Sequence, residues 1–217
     1  MTEHNFEQMR RAMVASQLRT TGVSDARVIA AMGAVPRERF VPPGKVAMAY
    51  ADALVPLGNG RELNTPMSLG RMLTEAAPQP EDRALVIGAA TGYAAAVLAQ
   101  LVASVVAVEE DPQLAAAAQG ALAGTKVKLV EGPLTKGYKQ GAPYDLIIVD
   151  GAVEYVPDAI VDQLGENGRL AAAIVEAGGI AHISIGRRGG AGFGLAAVSD
   201  VASAILPGFQ KPRGFTF

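Results

Sequence analysis

Along the first third of the chain, apolar positions recur at helical spacing and stop at breakers. Phe6, Met9, Met13 and Leu18 fall roughly on one face of a helix over residues 6–18. After the break at Thr20 to Gly22, Ser24 and Asp25 can cap a second helix through Val28, Ile29 and Met32, which ends before VPRERFVPPG. Thr65 followed by Pro66 is an N-cap and first-turn pair. It predicts a helix over MSLGRMLTEAA that stops before Pro78 and Pro80. The expectation is a helical N-terminal extension joined by proline-rich turns and a long loop.

From Arg83 the rhythm changes to short apolar runs alternating with helical ones. Strands are expected over 84–87, 105–108, 127–130 and 146–149, and helices over 93–101, 112–122 and 157–164. Strands alternating with helices imply parallel neighbours, because each return to the same edge needs a crossover. The tail breaks this alternation. Residues 169–175, 179–187 and 194–201 read as strands separated by glycine-rich turns, so the sheet should finish in an antiparallel hairpin. The predicted fold class is α/β: a doubly wound, mostly parallel Rossmann-like sheet of about seven strands, with an antiparallel hairpin at its C-terminal end and an N-terminal helical extension. The division falls between 1–82 and 83–217, within one compact domain.

Composition narrows the chemistry. The 217 residues suffice for one well-formed domain and an appendage. No apolar stretch of membrane-spanning length escapes charge, proline or glycine, and the start of the chain lacks the apolar core of a secretory signal. A soluble, cytoplasmic protein without a membrane partner is expected. The absence of cysteine excludes disulfides, thiolate nucleophiles and cysteine-ligated metals. A net charge of −2 argues against a nucleic-acid partner. His4 and His182 are far apart, and His182 sits in the alternating stretch AHISIG, a strand position; no metal site is expected.

The chemistry should lie where the strands end. In an open parallel sheet, ligands bind at the carboxyl ends of the strands, where the winding reverses. The stretch LVIGAATGYAAA runs from a strand through a small-residue turn into a helix. Gly88 and Gly92 let the backbone turn sharply and approach a ligand, and the helix that follows offers unpaired N–H groups. Ala89, Ala90 and Thr91 complete the loop. Ala90, where a middle glycine is usual, adds one methyl group and favours a ligand needing less room than a pyrophosphate. The next strand ends in VAVEED, about twenty residues on, where a ribose-binding acid belongs. Glu109 is the first residue past the apolar run and is the candidate. Glu110 and Asp111 read as solvated charges at a helix start. Two more strand ends point to the same crevice, with Glu131 and Gly132 at one and Asp150 at the other. Loop and acid in phase predict a nucleoside-type cofactor.

Four blocks of sequence carry a resemblance: MVASQLRTTGVSDARVIAAMGAVPRERFVP, AYADALVPLGNGRELNTP, LVIGAATGYAAAVLAQL and YDLIIVDGAVEYVPDAIVDQLGENGRL. In order and spacing they resemble the protein-L-isoaspartate O-methyltransferases, a class I family that uses S-adenosylmethionine. The resemblance implies methyl transfer from S-adenosyl-L-methionine to the α-carboxylate of isoaspartyl residues in damaged proteins, a repair reaction with isoaspartyl peptides or proteins as partners. It places the cofactor against Gly88, Ala89, Ala90, Thr91, Gly92, Glu109, Glu131 and Gly132. The acceptor falls to Asn64, Thr65 and Pro66, with Asn64 and Asp150 nearest the chemistry. Several positions depart from the family pattern. Ala90 replaces a glycine, Val86 an acid, Asn64 a serine, Thr65 a glutamine and Asp150 a threonine. Three other readings stay open: the same cofactor with a different acceptor, a non-catalytic peptide-binding relative, and a nicotinamide-dependent dehydrogenase.

Overall fold

The computed structural model describes residues 3–176, 179–190 and 192–211. Helix α1 (Glu3–Met13) runs into a wider π-turn at Val14–Leu18, so the expected helix over 6–18 changes pitch rather than continuing. Helix α2 (Ala26–Ala34) starts at Asp25, whose carboxylate accepts from the Arg27 amide. A hairpin of β1 (Val55–Gly58) and β2 (Arg61–Leu63) follows, where only a long loop was expected. Its turn is Asn59-Gly60, with φ of 50° and 72°. Asn-Gly adopts two successive positive φ values readily, which is why it closes tight hairpins. Helix α3 (Pro66–Ala76) begins as expected, with the Thr65 hydroxyl accepting from the Ser68 amide.

The alternating region gives β3 (Arg83–Ile87), α4 (Tyr93–Leu98), β4 (Ser104–Glu109), α5 (Pro112–Ala121), β5 (Val127–Glu131), β6 (Tyr144–Val153), α6 (Asp158–Val161), β7 (Leu164–Val175), β8 (Ala181–Arg187) and β9 (Leu195–Val201). Seven strands form one sheet in the order β5-β4-β3-β6-β7-β8-β9. Pairing is parallel from β5 through β7 and antiparallel from β7 to β8 and β8 to β9, as expected. The winding reverses between β4 and β6, across β3, and this places the switch point at the loop after β3.

Some boundaries moved. Helix α6 covers only 158–161 because Leu164 already pairs with Tyr144 as the start of β7. Strand β6 runs past Asp150, expected at the strand's end, to Val153. It does so because pairing with β7 resumes after a register shift, Ala152 opposite Ala173 and Val153 opposite Ile174, and a C-terminal segment joins on the other side: Ala152 N–H donates to Ala204 C=O (2.6 Å), and Leu206 N–H donates to Ala152 C=O (2.9 Å).

Both faces of the sheet are covered, so its central strands are apolar on both sides. Ala84, Val86, Val105, Ala107, Leu146 and Ile148 join the N-terminal elements and α3–α4 in one cluster. Leu85, Ile87, Val108, Ile147 and Val149 face the other way and pack with Ile160, Leu206 and Phe209. Among the described residues no helix is long and apolar enough to cross a membrane.

Candidate functional site

The N-terminal elements lie over the carboxyl ends of the strands, where Arg61, Asn64 and Phe40 bond Glu109, Asp150 and Thr91. The loop of residues 88–92 turns with φ of 80° at Gly88, 49° at Ala90 and 100° at Gly92. Glycine adopts such angles freely, but for alanine the left-handed region costs about 1–2 kcal/mol. Ala90 is held there by its own amide, which donates to Glu109 Oε2 at 2.6 Å. Thr91 is fixed from outside, its hydroxyl donating to the Phe40 carbonyl at 2.6 Å. Phe40 also meets Tyr93 edge to face, with ring centroids 5.6 Å apart. The extension thus clamps the loop from one side.

Glu109 is fully buried at the end of β4. Sequence placed it correctly beside the loop but gave no hint of its partner. Arg61, on β2, reaches it with both ends of its guanidinium, Nη1 to Oε1 at 2.6 Å and Nη2 to Oε2 at 3.0 Å. The amides of Ala90, Glu110 and Asp111 donate to the same carboxylate, at 2.6, 3.0 and 3.0 Å. Glu131 stands opposite Glu109 in the β4–β5 register and is exposed, and the Gly132 amide donates to the Glu109 carbonyl at 2.9 Å. Asp111 caps α5, accepting from the amides of Gln113 and Leu114, and its carboxyl is held below its ordinary range chiefly by the Asn59 side chain, which donates to it at 2.9 Å. Glu110 accepts from the Leu134 amide. Both are helix-start and loop charges, as read from the sequence.

Asn64 and Asp150, expected together at the acceptor side, bond directly: Asn64 Nδ2 donates to Asp150 Oδ1 at 2.7 Å. Both are buried. The other end of the amide, Asn64 Oδ1, accepts from the Ala204 amide (2.8 Å) and the Ser203 hydroxyl (3.1 Å). Asn64 therefore ties β2 and α3 to β6 and the C-terminal segment. Burial pushes the Asp150 carboxyl above its ordinary range; the Asn64 hydrogen bond and the nearby Arg37 and Arg61 guanidiniums oppose this, and the Glu109 charge reinforces it. Thr65 and Pro66 are buried at the start of α3, and the Thr65 hydroxyl lies 2.9 Å from that of Ser68, so both serve the helix start.

Two further residues escaped the sequence reading. Arg37 is wholly buried, with Nε donating to the Ala49 carbonyl (2.7 Å) and Nη2 to the Asn64 carbonyl (2.5 Å), while its guanidinium lies 4.6 Å from the Tyr93 ring centroid. It fixes the Asn64 backbone from beneath. Leu206 covers the loop from the other side: a Cβ built on Gly88 would lie 2.8 Å from its Cδ2. An arginine in a charged Arg-Glu-Arg turn and a leucine after a strand carry no local signal of such roles. Among the described residues, no group of three or more histidine, cysteine, aspartate or glutamate side chains could hold a metal ion.

The residue types suit a nucleoside: a tight loop, a buried acid at the next strand end and a second acid beside it. A cavity of about 550 Å³ lined by Phe40, Gly58, Asn59, Thr91 and Leu114 adjoins the loop, but the acid itself is occupied. Leu206 lies on Gly88, and the Glu109 carboxylate meets five donors where its two oxygens present about four lone-pair directions. A ribose could bond Glu109 only by displacing one of these donors.

A family model described as protein-L-isoaspartate(D-aspartate) O-methyltransferase matches residues 9–190. Among curated relatives, a protein-L-isoaspartate O-methyltransferase of Methanoregula boonei is 43% identical over 173 residues, covering 78% of each chain. One of Methylorubrum populi is 40% identical over 182 residues, covering 83% of this chain and 86% of its own. Among solved structures, a protein-L-isoaspartate O-methyltransferase superposes with a TM-score of 0.79 at 22% identity, covering 94% of this chain and 66% of that one. A putative Plasmodium falciparum enzyme of this name, solved with S-adenosyl-L-homocysteine, superposes with a TM-score of 0.78 at 19% identity over 91% of this chain and 97% of its own.

Proposed function

From the premise that the chain belongs to the protein-L-isoaspartate(D-aspartate) O-methyltransferase family, we propose that it transfers the methyl group of S-adenosyl-L-methionine to the α-carboxylate of L-isoaspartyl residues in damaged proteins. The observation that supports this most is the family match across four fifths of the chain, with the switch-point loop and Glu109 in register at its centre. In this reading Gly88 to Gly92, Glu109, Glu131 and Gly132 form the cofactor side, and Asn64, Thr65, Pro66 and Asp150 the acceptor side. A carboxylate is already a nucleophile at neutral pH, so the residues have orientation and exclusion of water to supply rather than a general base. The buried Asp150 would repel an incoming carboxylate; Asn64, Arg37 and Arg61 offset its charge.

The test is calorimetric titration with S-adenosyl-L-homocysteine, followed by transfer of labelled methyl to a peptide carrying isoaspartate and to the same peptide carrying aspartate. Transfer to the isoaspartyl peptide alone is expected. Binding with no transfer to either would move the assignment to a different acceptor. No binding at all would favour the non-catalytic reading.

A further inference from the structure

The Arg61–Glu109 pair is too well made to be incidental. Its side chains are 6% and 0% exposed, and the guanidinium engages the carboxylate through both oxygens. Nevertheless the pair joins two elements of different standing. Glu109 ends a central strand of the main sheet, whereas Arg61 belongs to a two-stranded hairpin whose strands pair only with each other. The tip of that hairpin is tied down by Asn59 Nδ2 donating to Asp111 Oδ2 at 2.9 Å, an exposed contact. An open cleft of about 480 Å³, lined by Asn59, Arg61, Glu110, Asp111 and Pro207, leads from solvent to the Arg61 side of the pair. The base of the hairpin runs into Asn64, whose amide holds Asp150 and the C-terminal segment.

Resting on the function proposed above, we propose that the β1–β2 hairpin is a latch on the cofactor site. Arg61 occupies the carboxylate that a ribose diol would need, so a nucleoside enters only as the hairpin releases Glu109. A buried ion pair suits this task because desolvation offsets much of its attraction, and an arginine leaving for solvent regains hydration. Release of Arg61 also pulls on Asn64, three residues along the same strand exit. Cofactor binding and opening of the acceptor side are therefore linked, and linkage is reciprocal for binding free energies. In the closed protein the apparent affinity for the nucleoside is reduced by the fraction of molecules that are open.

The experiment compares S-adenosyl-L-homocysteine binding by calorimetry in the wild-type protein and in Arg61→Gln, with amide exchange of residues 55–64 followed in the wild type with and without that ligand. Gln keeps a polar group but cannot fork the carboxylate. The latch predicts at least tenfold tighter binding by Arg61→Gln and faster exchange of residues 55–64 in the wild type when the ligand is added. Equal or weaker binding by the variant, or slower exchange in the liganded wild type, overturns the latch while leaving the proposed function standing. If Arg61→Gln fails to fold, the exchange measurement on the wild type decides. Absence of binding in both proteins overturns the proposed cofactor and the latch with it.

Discussion

Replacing Asn64 by alanine should unfold the closed crevice before it alters any chemistry. The side chain makes three bonds to elements far away in sequence: one to Asp150 Oδ1 (2.7 Å), one from the Ala204 amide (2.8 Å) and one from the Ser203 hydroxyl (3.1 Å). The bond to a carboxylate is worth about 1.5–3 kcal/mol, and an orphaned buried amide costs about 1–3 kcal/mol. The half-buried serine can turn to water, so its loss counts for little. Asn64→Ala should therefore cost about 3–5 kcal/mol, and with a urea slope of about 2–3 kcal/mol/M the midpoint should fall by about 1–2 M. Asn64→Asp sharpens the test. It keeps both acceptor bonds but sets a second carboxylate against Asp150, so at neutral pH it should be as unstable as Asn64→Ala. Two such carboxylates share a proton more tightly folded than unfolded. Folding then takes up a proton, and the variant should regain stability as pH falls from 7 toward 5; Asn64→Ala, whose buried Asp150 has lost the bond that lowers its pKa, should gain too, but less, because it lacks the second carboxylate. Urea titrations of the three proteins at both pH values are sufficient. A loss below 1 kcal/mol in Asn64→Ala, or parallel pH profiles for the two variants, would refute the structural role assigned to this amide.

Three other outcomes follow from single sites. Ala90→Gly removes a left-handed alanine with φ of 49°; thermal unfolding should show a gain of about 1 kcal/mol, less the extra unfolded-state freedom of glycine, and a loss would mean that the methyl packs favourably. Asp150→Asn keeps an acceptor for Asn64 but removes a charge whose pKa burial raises. With the folded-state value above the ordinary 3.8, the folded wild type binds more protons, so its stability should rise as pH is lowered through that window, and the variant's profile should be flatter there. Thr65→Ala removes the cap that accepts from Ser68 N–H at 3.1 Å and should cost about 1 kcal/mol in urea midpoints; a loss confined to peptide affinity would return Thr65 to the substrate.

The main sheet was legible because its signals are local. Apolar runs such as 84–87 and 146–149 and the helix caps at Asp25, Thr65 and Asp111 depend on neighbours a few residues away. The β1–β2 hairpin was missed although its Asn59-Gly60 turn is a strong signal, because strands of four and three residues show no countable alternation. Strand β6 was read short at Val149 because Asp150 and Gly151 look like a strand's end. Its extension depends on a register shift against β7 and on pairing with residues 204–206, neither of which leaves a local signal.

The candidate site divides along the same line. Gly88, Gly92 and Glu109 could be found because turn chemistry and strand phase fix them within one βαβ unit. Asn64 and Asp150 looked like independent departures from a family pattern, but the structure makes them partners, and Arg61, which carried no signal in the sequence, is the partner of Glu109. Arg61 reaches Glu109 across 48 residues, and Asn64 reaches Asp150 across 86. An aspartate buried where the family has a threonine needs a donor; an asparagine where the family has a serine supplies one, with a longer reach than a hydroxyl. The two changes thus answer each other, and each alone would leave a buried group without its partner. Arg61 adds a charge that both Glu109 and Asp150 feel. Two departures that look separate in sequence form one bonded pair in three dimensions, and in the proposed latch the neighbouring Arg61–Glu109 pair holds the hairpin down until a nucleoside displaces it.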